Sequence, residues 1–187
     1  MTKRLFLAIN LPPEIKEEIF NLALKLKKLN KNKLIKWVEK DNFHLTLHFL
    51  GSVPEEKIST INQALAPIVA NFPTLNFALS DSINALPDLN NPKVIFLEIK
   101  ELNDGQTIKL QKQIGGSLAR LGFAIDKRPF RLHLTLGRVK FKTAIQIPNL
   151  QFPVSNFQIS SVDLMSSELT SAGPIYSIVK AYNFKNN

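Results

Sequence analysis

The sequence predicts a mixed fold of strands and helices, built from two related halves that face one another across a cleft. Three observations predict it. Polar and apolar residues alternate in several short runs, as on strands whose side chains point to opposite faces. Other runs carry apolar residues at steps of three and four, the mark of a helix with one buried stripe. The word His-Leu-Thr-Leu occurs twice, at 44–47 and 133–136, nearly half the chain apart and each time inside an alternating run.

The elements follow in order. Arg4 to Asn10 reads as a first strand: its apolar stretch has the start of a secretion signal, but Asn10 and Pro12-Pro13 break it and no small-residue cleavage site follows. Pro12-Pro13 opens a helix with Ile15, Ile19, Leu22, Leu26 and Leu29 on one stripe, since proline suits a first turn. A polar connection, Asn30 to Lys33, leads to the first histidine strand, Phe43 to Leu50, which stops at Gly51-Ser52. A second helix is expected from Pro54, capped near Ser52, with Ile58, Ile61, Leu65 and Ile68 inward and Pro67 near its end. Thr74 to Ser80 and Lys93 to Ile99 read as strands separated by a turn-rich stretch. Asp104-Gly105 begins a third helix with Ile108, Ile114, Leu118 and Leu121 buried and Gly122 as its stop; Gly115-Gly116 inside it marks weakness or close packing. The second histidine strand, Phe130 to Val139, follows, then strands Phe157 to Ser167 and Ile175 to Phe184 joined by a loop containing Gly173-Pro174.

Composition bounds the rest. The 187 residues fit one domain or two tightly packed lobes, 1–187 being read as a single bilobal unit, and 44% hydrophobic content argues for a folded globule. The absence of cysteine excludes disulfides, thiolate catalysis and cysteine zinc sites, and fits a reducing compartment. No apolar run approaches the roughly 20 residues that span a bilayer, so a cytoplasmic, membrane-free protein is expected; it is read as a monomer. The net charge of +9 favours polyanionic partners. Arg128, Arg131 and Arg138 bracket the second word, while Lys25, Lys27, Lys28, Lys31, Lys33 and Lys36 lead towards the first. Guanidinium forks suit phosphate better than ammonium point charges.

The repeated words are where the chemistry lies. Strand parity places His44 and Thr46 on one face, and His133 and Thr135 on another, each backed by leucines. A lone strand histidine is most often structural, but two with matching threonines point to a site. Imidazoles titrate near neutrality, so facing histidines can divide labour, one taking a proton from an attacking hydroxyl and one giving a proton to a leaving oxygen. Each threonine lies about 7 Å along the same face, placed to donate to a phosphate oxygen. Arg131 shares the parity of His133 and points into the cleft; Arg138 has opposite parity and matters only if the strand twists or ends. His48 shares the His44 face as a supporting residue, and Phe49 lies on the leucine face and is read as core. A metal site is not expected: His44 and His48 are four apart, but on a strand that is about 13 Å, too far to chelate one ion.

Asn42 to Gly51, Arg128 to Arg138, and Ser167-Glu168-Leu169 with Gly173-Pro174-Ile175-Tyr176 resemble the motifs of the 2H phosphoesterase superfamily. More narrowly, they resemble those of the bacterial and archaeal RNA 2′,3′-cyclic phosphodiesterases, also called 2′-5′ RNA ligases. One departure is Leu132, where that family often carries proline. The resemblance implies a bilobal α+β fold, two antiparallel sheets lining a central cleft with helices outside, and no cofactor or metal. It implies His44 as proton donor, His133 as proton acceptor, Thr46 and Thr135 as phosphate ligands, and an RNA ending in a 2′,3′-cyclic phosphate as partner. Tyr176, with Arg131 and Arg138, is expected to bind substrate. The alternatives are a cyclic phosphodiesterase acting on small nucleotides and a non-catalytic binder of RNA ends.

Overall fold

A computed structural model of the chain describes residues 1–141, 143–147, 155–171 and 173–185. Along it run β1 (Thr2–Asn10), α1 (Pro13–Leu29), β2 (Ile35–Trp37), a 3₁₀ turn (Lys40–Asn42), β3 (His44–Pro54) and α2 (Lys57–Val69). They are followed by β4 (Leu75–Leu86), β5 (Val94–Glu101), α3 (Gln106–Arg120), β6 (His133–Val139), β7 (Asn156–Ile159), β8 (Ser161–Leu169) and β9 (Pro174–Asn183). The result is an α+β fold with two antiparallel sheets, ordered β3-β1-β8-β9 and β2-β6-β5-β4-β7. The order β3-β1-β8-β9 is matched by β6-β5-β4-β7, with β2 added beyond β6, so the two halves repeat one pattern around their histidine strands.

The leucines of the two words, Leu45, Leu47, Leu134 and Leu136, enter one continuous apolar core with Leu5, Leu7 and Ile9 of β1 and Ile95 and Leu97 of β5. α2 and α3 lie together against the first sheet, at β3 and β9. Ile15 in the first turn of α1 lies beside Phe77 and Phe157 of the second. The helices thus cover the outer faces, and the inner faces are left to the cleft. No helix among the described residues is long and apolar enough to cross a membrane.

Several expectations need correction. β2 is absent from the sequence reading, because three residues are too few to show a period. β3 continues past Gly51-Ser52 to Pro54, with Gly51 at φ +72 beside a register shift, and α2 begins at Lys57. Leu29, expected on the α1 stripe, is exposed at the helix end; Asn30 is buried instead, its amide donating to the carbonyls of Leu26 at 2.9 Å and Gln146 at 2.8 Å. Ile108 is exposed, since the buried face of α3 runs through Thr107, Leu110, Ile114 and Leu118. The single strand expected over Phe157 to Ser167 is split into β7 and β8, one in each sheet. Ala172, within the loop joining β8 and β9, lies outside the described residues.

Candidate active site

Each word opens a strand, His44 as the first residue of β3 and His133 as the first of β6. The two strands belong to different sheets, yet their Cα atoms approach within 8 Å of one another. Both words also contain a β-bulge at the same place. In β3, Thr46 pairs with Ala8 and His48 with Leu7, leaving Leu47 as the extra residue. In β6, Thr135 pairs with Phe96 and Gly137 with Ile95, leaving Leu136 as the extra residue.

A bulge re-aims every side chain beyond it. The residues at 47 and 48, and again at 136 and 137, are therefore both buried, and the next residue returns to the histidine face. His48 accordingly does not share the His44 face. It is 5% exposed, and its Nε2–H donates to the Gln111 carbonyl of α3 at 2.8 Å. Phe49 is not core: it is 64% exposed, with its ring 6.0 Å from that of Phe6. Arg138, at the matching place in β6, is exposed on the His133 side despite its nominal parity. Gly115 of α3 makes room for His48, because a Cβ there would stand 2.8 Å from His48 Cε1.

The imidazoles are held alike. Nδ1–H of His44 donates to the Asn42 carbonyl at 2.7 Å, and Nδ1–H of His133 donates to the Arg131 carbonyl at 2.8 Å. In the neutral ring this leaves Nε2 as the basic nitrogen in both. Nε2 of His44 accepts from the Thr46 hydroxyl at 2.9 Å; among the described residues, His133 has only its Nδ1 bond. Aromatic rings wall both sites: Phe6 at 5.0 Å and Tyr176 edge-on at 5.3 Å from His44, and Phe96 at 5.4 Å from His133. Arg131 sets its guanidinium 5.9 Å from the centre of the Phe96 ring, beside His133. Leu132 packs against the core, so the absent proline leaves the strand's leucine face intact.

Burial holds the His44 imidazole below its ordinary pKa, the bond to the Asn42 carbonyl works the other way, and the proximity of Lys16, Arg138 and His133 depresses it further. Burial likewise pushes the Tyr176 phenol up, with Arg138 and Arg4 acting in the opposite sense. Lys16, from α1, is missing from the sequence reading because its Nζ reaches the site by donating to the Asp41 carbonyl at 2.8 Å, a contact no local pattern announces. Removing a neighbouring cation favours the protonated ring, so Arg138→Ala should move the His44 titration to higher pH. An NMR titration of the His44 Cε1 proton checks this, and a downward or absent shift contradicts the proximity of the two residues.

Fold and site together define an α+β protein in which each of two antiparallel sheets carries an H-x-T strand, the two strands lying close together, the arrangement of a 2H phosphoesterase. The model of the LigT-like phosphoesterase family matches residues 9–96 and 99–176, and the chain belongs to that family. It is 32% identical over 185 residues to the RNA 2′,3′-cyclic phosphodiesterase of Thermotoga maritima, covering 97% of this chain and 96% of that one. It is 35% identical over 188 residues to the RNA 2′,3′-cyclic phosphodiesterase of Methanocaldococcus jannaschii, covering 96% and 99%. The crystal structure of E. coli LigT complexed with 3′-AMP superposes with a TM-score of 0.78 at 26% identity, over all of both chains.

Proposed function

We propose that this protein hydrolyses the 2′,3′-cyclic phosphate at the end of an RNA to a 2′-phosphomonoester, using His44 and His133 as an acid–base pair without a metal ion. One observation supports the reading: two H-x-T strands, one from each sheet, run close together and carry imidazoles anchored by the same backbone bond, with His133 near enough to act on the charge of His44. The full-length similarity to RNA 2′,3′-cyclic phosphodiesterases supports the substrate class.

In this reading His133 acts as the base. Its Nε2, engaged by no protein group among the described residues, takes a proton from water as the water oxygen bonds to phosphorus. The bond from phosphorus to the 3′ oxygen breaks, and His44 Nε2–H gives that oxygen its proton. Thr46 and Thr135 donate to the non-bridging oxygens, Arg131 and Arg138 balance their charge, and Tyr176 and Phe49 offer faces to a base. In the free protein His44 resists protonation; an anionic phosphate offsets Lys16 and Arg138 and loads the acid when substrate binds. Should the 5′-hydroxyl of a second RNA take the place of water, the same proton transfers yield a 2′-5′ linkage.

The test is turnover of an oligonucleotide ending in a 2′,3′-cyclic phosphate, in EDTA, with the product phosphate located. Release of a 2′-phosphate at an undiminished rate is the expected result. Activity abolished by the chelator overturns metal independence, and a 3′-phosphate product overturns the assignment of the leaving oxygen. Binding without any product would leave the protein a reader of RNA ends.

A further inference from the structure

β2, the strand too short to announce itself in the sequence, carries a charge arrangement that folding alone disfavours. Its residue Lys36 pairs in register with Arg138 of β6, and the ladder continues to Leu34, whose carbonyl accepts from the Lys140 N–H at 3.0 Å. By strand parity Lys36, Arg138 and Lys140 share one face, all exposed, with Lys36 directly opposite Arg138. Like charges so placed destabilise a sheet. No carboxylate relieves them: among the described residues the salt bridges are Lys3–Glu55, Lys40–Glu17 and Arg128–Asp126. Lys33, Lys36 and Lys140 line a hollow of about 330 Å³ with Leu34 and Ile35.

This row is continuous with the cleft. Arg138 lies near enough to depress His44, and Lys36 Nζ would stand 3.6 Å from a Cβ on Gly173, in the loop joining β8 and β9. Cations two residues apart on a strand are spaced by about 7 Å, a distance comparable to that between successive phosphates of an extended single strand.

We infer that the β2–β6 edge is an RNA track: Arg138 with Lys36 opposite it grips one backbone phosphate upstream of the terminal nucleotide, and Lys140 with Lys33 grips the next. The inference rests on the proposed reading of the cleft and extends it from the reacting end to the body of the RNA. It makes oligonucleotides better substrates than mononucleotides, and it accounts for a surface whose like charges repel until a polyanion arrives.

The experiment compares the full-length protein with the Lys36→Gln/Lys140→Gln double variant, using Lys109→Gln/Lys112→Gln on the exposed face of α3 as a control for total charge. Binding of a short RNA ending in a 2′-phosphate is measured by fluorescence anisotropy across a salt series. Turnover is measured in parallel on adenosine 2′,3′-cyclic monophosphate. In the double variant, RNA affinity at low salt should fall by roughly tenfold or more, and the slope of log K against log salt should shrink by about 0.7 for each phosphate no longer neutralised. Mononucleotide turnover should stay at the wild-type value, and thermal stability should not drop, since a repulsive pair has been removed. RNA affinity equal to that of the Lys109→Gln/Lys112→Gln control overturns the track, as does an equal loss on RNA and mononucleotide. Absence of turnover in the wild type would instead sink the catalytic reading, while the anisotropy series still decides the track.

Discussion

Replacing either His44 or His133 with alanine is expected to lower kcat for a 2′,3′-cyclic phosphate by about 10²–10⁴-fold, the range associated with one general acid or base. KM should change far less, because the threonines and arginines that hold the phosphate remain. Each ring is oriented by a backbone carbonyl, Asn42 for His44 and Arg131 for His133, so neither substitution releases the other imidazole. Proton removal and proton donation belong to one displacement. A site lacking one partner therefore gains little from keeping the other, and the double variant should fall well short of the product of the two single losses. Single-turnover kinetics on a cyclic-ended oligonucleotide measures all three. A wild-type rate in either single variant removes the paired mechanism.

The second large effect is structural. Gly115→Ala should destabilise the fold by about 1–3 kcal/mol through overpacking, a fall in Tm of about 2–4 °C for each kcal/mol in a chain of this size. The added Cβ would meet His48 Cε1 at 2.8 Å and Nε2 at 3.1 Å, and that ring is buried and bonded to the Gln111 carbonyl, so it has little room to yield. The sign is informative, since alanine for glycine in a helix is ordinarily stabilising. Gly116→Ala supplies the contrast: its Cβ would find only Arg120 Nη1 at 4.0 Å, and it should stabilise by about 0.4–1 kcal/mol. Thermal melts of the two variants check the pair. Displacement of His48 should also disturb the bulge at Leu47, so Gly115→Ala should lose activity that Gly116→Ala keeps.

Much of this architecture can be read from one chain. The stripes of α1 and α2, the alternating runs and the paired words identify the elements, because burial on one face imposes a period that survives without any tertiary information. The shared face of His44 and Thr46, and that of His133 and Thr135, are likewise legible, since these residues precede any irregularity in their strands. What strict alternation cannot supply is the residue inserted at Leu47 and at Leu136. Nothing local in His-Leu-Thr-Leu distinguishes a bulged leucine from a regular one; the register against β1 and β5 decides it. For that reason alternation puts His48, Phe49 and Arg138 on the wrong faces. Apolar and polar residues keep alternating as far as Phe49, and the first local break, Phe49-Leu50, marks the second register shift of β3 and not the bulge at Leu47. Ile108 fails for a simpler reason, its step of six to Ile114 fitting neither three nor four. Lys16 and β2 are invisible because each owes its place to a partner far away in sequence.

The bonds that hold the two imidazoles have an evolutionary corollary. Their acceptors are peptide oxygens, which every amino acid supplies, so substitutions at 42 and 131 leave the rings' tilt and tautomer untouched. The side chains there do other work, the Asn42 amide donating to the Pro174 carbonyl at 3.0 Å and Arg131 lying over the Phe96 ring, so a change at either alters the surroundings of the rings and not the bonds that orient them.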